Sequence, residues 1–126
     1  MINIMNNLNE YQISELSVGE TNQNVKMELI HTLNQSILII TFDLVHMVKI
    51  VRCVTDELYL IGESNLQEIS IDNIDILKNE GYSNSKLIKL NKEDDNIYFF
   101  KVYGDITIKI LCEKINVIEK TDIKHS

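Results

Sequence analysis

Tyr98-Phe99-Phe100-Lys101-Val102-Tyr103-Gly104-Asp105-Ile106-Thr107-Ile108-Lys109-Ile110 is the stretch that decides the fold. Two runs of aromatic and β-branched residues flank a Gly-Asp dipeptide, and such residues suit the half-buried surface of a pleated strand. Gly-Asp between alternating runs predicts a two-residue hairpin turn in which the glycine supplies a positive φ. That register sets Tyr103 opposite Ile106 and Phe99 opposite Ile110, which gives the hairpin one apolar face. A further strand is expected from Ile115 to Ile118, then a polar tail from Lys120.

Working back toward the N-terminus, the same reading recurs. Ile37-Leu38-Ile39-Ile40-Thr41-Phe42 is apolar on both faces and predicts a central strand. Val25, Met27 and Leu29 alternate with Lys26, Glu28 and Ile30, the period of a half-buried strand. Leu33-Asn34-Gln35 suits the turn between them. Val45 to Val54 continues extended, and the whole run exceeds normal strand length, so a bend or bulge is expected between Asp43 and His46. Leu58 to Ile61 reads as a strand ending at Gly62, and Tyr11 to Val18 as the first strand. Ser64 to Gly81 reads two ways. Leu66, Ile69, Asn73 and Leu77 follow a possible Ser64 N-cap at helical spacing, with Gly81 as a stop. Ile69 and Ile71 instead alternate as in a strand. A strand from Glu68 to Ile71, followed by a turn or short helix to Lys78, is the expectation adopted.

Composition agrees. The 126 residues contain no alanine, proline or tryptophan and are rich in isoleucine, which is stiff at χ1 and favours strands. Without alanine a helical protein lacks its best helix former. The expected fold is therefore mainly β (or α+β): one domain over residues 1–126, an antiparallel sheet or two-layer β-sandwich with at most one or two short helices. No stretch offers the ~20 apolar residues of a membrane helix. Met1 to Asn7 has neither the basic nor the apolar region of a secretory leader. Cys53 and Cys112, each in an apolar segment, are expected to be reduced, and the cytoplasm is the expected location.

No catalytic, cofactor-binding or metal-ligating set is expected. Asp43, His46 and Cys53 contain the residue types of a nucleophilic triad. Residues three apart on a strand point to opposite faces, however, so Asp43 and His46 could meet only across a bend. Asp94-Asp95-Asn96 lacks the alternating ligands and central glycine of a calcium loop. Gly19, Gly62, Gly81 and Gly104 stand alone, and Arg52 is the single arginine, too little guanidinium for phosphate recognition.

Charge is the more informative feature. Net charge is −7. Between Asp56 and Asp95 ten acids (Asp56, Glu57, Glu63, Glu68, Asp72, Asp75, Glu80, Glu93, Asp94, Asp95) face four lysines, a net of −6, whereas the remainder sets nine acids against eight bases. Such a surface repels nucleic acid phosphates and attracts a basic protein, chiefly by speeding association. Desolvated aromatic anchors ringed by carboxylates could then supply affinity. The candidate partner-binding residues are Asp56, Glu57, Tyr59, Glu63, Glu68, Asp72, Asp75, Tyr82, Glu93, Asp94, Asp95 and Tyr98.

The run VKMELIHTLNQSILIITFDLVHMVKI, residues 25–50, with Phe42, Val45 and Val48 in its crossing segment, resembles the opening sheet of small bacterial immunity proteins of polymorphic-toxin and contact-dependent growth inhibition systems. YFFKVYGDITIKILCEKINVIE, residues 98–119, is similar to their closing hairpin and last strand. The resemblance covers about two-thirds of the chain. It implies a small acidic cytosolic protein that neutralises a toxin domain by covering its active site or substrate channel, and it transfers no functional residue. Together with the charge map, it makes stoichiometric inhibition of a basic toxin domain, with a nuclease the fitting class, the expected function, without catalysis, nucleic acid or membrane. Two alternatives stay open: a phage or mobile-element inhibitor of a host nucleic-acid enzyme, and a β domain that binds a small ligand.

Overall fold

The computed structural model describes residues 2–21, 23–52, 59–70, 72–82 and 96–120. Among the described residues there are six antiparallel strands: β1 (Tyr11–Val18), β2 (Asn24–His31), β3 (Ile37–Arg52), β4 (Tyr59–Ile69), β5 (Ile97–Gly104) and β6 (Ile106–Lys120). They are hydrogen-bonded in the order β1-β2-β3-β6-β5-β4, and β1 meets β4 to close a barrel. Among the described residues the helices are α1 (Ile2–Met5) and a 3-10 helix (Ile74–Glu80). The protein is mainly β, with the short helical segment after β4 that the pattern near Lys78 implied.

β3 and β6 are long because each serves two layers. Residues 37–43 of β3 pair with β2 on one side and with residues 114–120 of β6 on the other. Residues 45–52 pair with 106–112 of β6, whose other side is taken by β5. The strand turns the corner at Leu44, which holds a left-handed φ of 53°, and the register slips between Val45 and Met47. A strand alternates faces with period two, so Phe42 and Val45 can both face the core only if one residue between them falls out of step. This is the irregularity expected between Asp43 and His46.

The interior is filled by side chains. Phe42 and Phe100 stack at 5.3 Å between centroids, surrounded by fully buried Met27, Leu29, Ile40, Ile108 and Ile110. At the closing seam, among the described residues, β1 and β4 share only the pairs Gln12–Leu60 and Ile13–Tyr59. The N-terminal segment covers the rest of the β4 edge. Leu8 N–H donates to Ser64 Oγ at 3.1 Å, Leu66 N–H donates to Asn6 Oδ1 at 2.7 Å, and Met5 and Leu8 are buried in the main core. An exposed strand edge invites pairing with other chains, and these contacts blunt it. Nothing in Met1 to Asn7 announced that role.

A second cluster lies on the outside of the barrel. Leu77 of the 3-10 helix is buried against Ile97, Phe99 and Leu111, with Met47, Ile69, Ile74, Ile76 and Tyr82 around them. The outer face of the β3-β6-β5-β4 layer is thus covered by residues 74–82.

Several local expectations are corrected. β4 does not stop at Gly62 but runs to Ile69, and Ser64, the possible N-cap, is buried in mid-strand. The expected break before Ile115 is absent, because β6 is continuous from Ile106 to Lys120. The β5–β6 register is one residue from that expected: Phe99 pairs with Leu111 and Phe100 with Ile110. Phe99 and Leu111 therefore face outward beneath the 3-10 helix, while Phe100 and Ile110 fill the barrel. Gly104 is not at positive φ. It is needed because a Cβ there would lie 2.3 Å from Leu60 O and 2.7 Å from Gly62 N. Asp105 completes the clasp: its N–H donates to Leu60 O at 3.0 Å, and its Oδ2 accepts from Leu60 N–H at 3.1 Å.

Cys112 is a free, buried thiol, and burial pushes its pKa up from 9.0 to about 12. Cys53 lies outside the described residues. An acid whose folded pKa is raised stabilises the fold below its unfolded pKa, and that contribution drains away as pH climbs toward the folded value. The domain should therefore lose stability as pH rises above 9 toward 12, and Cys112→Val should flatten that decline. Urea midpoints at pH 7, 9 and 10.5 for both proteins test this; parallel declines would show that Cys112 does not contribute.

Candidate functional site

Of the twelve candidate partner-binding residues, Asp56, Glu57, Glu93, Asp94 and Asp95 lie outside the described residues. The other seven do not converge on one patch. Glu63 and Glu68 are five apart on a regular stretch of β4, so they point to opposite faces. Glu68 shares the inward face with Ser64 and Leu66 but reaches solvent at the barrel end, opposite Tyr98. Glu63 is on the outer face, opposite Tyr103 of β5. Asp72 and Asp75 are exposed on the segment outside the barrel, and Asp75 pairs with Lys78 at 3.3 Å. Tyr59 and Tyr98 pack against the barrel core, leaving only part of each ring for a partner. Tyr82 packs on the outer cluster, and burial raises its hydroxyl pKa.

Glu80, counted within the acidic third, is used internally. On the outer face Lys49 stands opposite Lys109, and Lys109 opposite Lys101, so three lysines occupy one cross-strand row. Like charges placed so repel. Glu80 reaches over from the 3-10 helix. Both of its carboxylate oxygens accept from Lys109 Nζ, at 2.9 and 3.1 Å, and its backbone carbonyl accepts from Lys49 Nζ at 2.8 Å. The hydrogen bond to Glu80 is the main reason the Lys109 pKa is raised. Lys101 instead lies over the Phe99 ring at 5.6 Å. This arrangement pins residues 74–82 over the apolar outer face. Nothing in the order of residues foretold it, because 49, 101 and 109 become neighbours only through strand register.

Of the nominal triad, Cys53 lies outside the described residues, and the corner of β3 gives Asp43 and His46 different partners. His46 Nε2 meets Glu113 Oε2 at 2.8 Å, while Asp43 Oδ1 accepts from Asn24 Nδ2 at 3.3 Å. Beside this corner is a shallow, open depression of about 380 Å³ rimmed by Leu44, Asn96, Tyr98, Glu113 and Lys114. Among the described residues no three His, Cys, Asp or Glu side chains form a group able to hold a metal ion. Among them, too, no helix is long and apolar enough to cross a membrane.

No family model and no curated protein matches the chain. Among solved structures it is similar to an uncharacterized protein from Neisseria gonorrhoeae, with 12% identity, a TM-score of 0.43, and coverage of 86% of this chain and 89% of that one.

Proposed function

We propose that this chain is an immunity-type protein that binds a basic toxin domain, a nuclease being the fitting class, and neutralises it by stoichiometric occlusion. The observation that carries this reading is the charge map: six of the seven net negative charges fall between Asp56 and Asp95. Glu63, Glu68, Asp72 and Asp75 from that region are all exposed, at separate places around β4 and the segment after it. Dispersed carboxylates of this kind suit steering over a broad surface better than capture of one small ligand. The packed interior supports the same view. A barrel filled by Phe42, Phe100 and their aliphatic neighbours leaves recognition to its outside.

The test is titration of a toxin domain encoded beside this gene. Its nuclease activity should fall linearly with added chain and vanish at a one-to-one ratio. Association should slow steeply as salt rises, whereas dissociation should change little. Asp94→Lys with Asp95→Lys should slow association without unfolding the domain. Full toxin activity at several-fold excess of this chain would refute the proposal, as would turnover of a small substrate by the chain itself.

A further inference from the structure

Leu44 is held in a conformation that its residue type resists, and its side chain is left half in solvent. Among the described residues only Gln35 and Leu44 are non-glycine residues with positive φ, at 62° and 53°. Gln35 lies between β2 and β3, in a turn where a left-handed residue is ordinary. Leu44 lies inside a strand. In the left-handed region the Cβ crowds the following carbonyl, so a bulge of this kind favours glycine or asparagine over leucine. Nor does packing account for the choice, since Leu44 belongs to neither apolar cluster and is 49% exposed. The backbone around it is nonetheless fixed: Val45 N–H donates to Gln23 O at 3.1 Å, and Asn24 Nδ2 donates to Asp43 Oδ1. Strain retained where neither backbone nor core needs the side chain points to a use for the side chain itself.

The depression beside this corner gives the side chain a setting. Leu44 and Tyr98 supply its apolar surface, and an adjoining hollow along β6, lined also by Ile115 and Asn116, shares Tyr98, Glu113 and Lys114 with it. Charge says what fits there. Glu113 is held at the rim by His46 Nε2 at 2.8 Å, Glu68 is exposed opposite Tyr98, and Asp43 directly precedes Leu44. Against these three carboxylates stands Lys114, while Lys26 is two strands away from Asn116, about 10 Å. Asn96, also on the rim, follows Glu93-Asp94-Asp95 directly in the sequence. An apolar centre with a rim mostly of one sign is complementary to an apolar side chain flanked by lysine or arginine.

We infer that Leu44 is an anchor for the basic protein partner, and that the corner of β3 receives an apolar side chain flanked on that partner by lysine or arginine. The inference rests on the toxin-binding reading and gives it a centre that lies outside the acidic third. A bulge that re-aims one side chain is a recurrent device beside functional sites. A side chain preset on a fixed backbone also loses little freedom when it is bound. The excess length of β3 announced a bend here, whereas only the fold turns Leu44, of all the residues in the bend, out of the sheet.

Two measurements on the full chain carrying Leu44→Gly or Leu44→Ala test it: the urea midpoint, and the dissociation constant for the toxin domain encoded beside this gene. Both variants lose the side chain but only glycine relieves the left-handed strain, so Leu44→Gly should be the more stable of the two. Both should raise the dissociation constant at least tenfold, chiefly through faster dissociation. Leu33→Ala, which removes a leucine that is 80% exposed between β2 and β3, should leave that constant unchanged. A Leu44→Gly chain less stable than Leu44→Ala would overturn the inference, because the strain would then be absent. Equal weakening by Leu33→Ala would overturn it too, since the effect would not belong to this corner. So would Leu44 variants that bind the toxin domain as tightly as the parent, a result that leaves the toxin-binding reading standing. A parent chain that does not bind the toxin domain would remove both.

Discussion

Replacing Gly104 with valine is expected to cost the domain on the order of 3 kcal/mol or more, because neither the backbone nor its neighbour can give way. A Cβ at residue 104 would approach Leu60 O to 2.3 Å and Gly62 N to 2.7 Å, and these are main-chain atoms of the strand to which β5 is bonded. The cost therefore does not depend on the left-handed conformation that favours glycine in turns. Asn, which tolerates that conformation, should fare no better than Ala at this position, since both carry a Cβ. Gly81 is the contrast. It does sit at φ 94° with open space where a Cβ would lie, so Gly81→Asn should cost less than Gly81→Ala, each on the order of 1 kcal/mol. Urea denaturation of the four variants beside Gly104→Val separates the two causes. Equal stability of Gly104→Asn and the parent would mean that β4 does not approach this glycine as closely as described.

Phe100→Ala should be the most damaging of the aromatic truncations. Phe100 is fully buried and stacked on Phe42 with planes 29° apart, at the centre of the barrel. Truncating such a side chain costs about 3–5 kcal/mol, the lost transfer energy plus the cavity left in a stiff β framework. Against a total stability of roughly 5–15 kcal/mol this leaves little margin. Phe42→Ala should cost a similar amount, and the double variant less than the sum, because each ring is the other's neighbour. Tyr103→Ala, 39% exposed on the outer face, is the control and should move the unfolding midpoint little. Losses that add fully for Phe42 and Phe100 would mean that the two rings do not pack as a pair.

Both predictions concern residues singled out in the sequence, but for reasons that the fold revised. The alternation of Tyr98 to Tyr103 and Ile106 to Ile110 determined that two strands meet at Gly104-Asp105, since period-two patterning and a glycine-containing turn are local properties. Isoleucine-rich alternation, together with the missing alanine, determined that strands would dominate. The excess length of the run from Ile37 onward determined that a bend was needed near Asp43. The six-to-one division of negative charge, on which the proposed function rests, was likewise legible in the order of residues.

What only the tertiary structure decided was which residues become neighbours across strands. A slip of one residue between β5 and β6 exchanges every inward side chain for an outward one, and nothing local distinguishes Phe99–Ile110 from Phe99–Leu111 when both faces are apolar. Each face is apolar because one fills the barrel while the other lies beneath residues 74–82. Gly104 owes its identity to a strand some forty residues earlier, and Glu80 owes its partners to lysines on two other strands. The burial of Met5 and Leu8 answers a gap in strand pairing that exists only once β1 and β4 have met. The candidate acids were legible as a charge count and not as a site. Odd and even positions of one strand point apart, so Glu63 and Glu68 stand close in sequence and on opposite sides of the sheet.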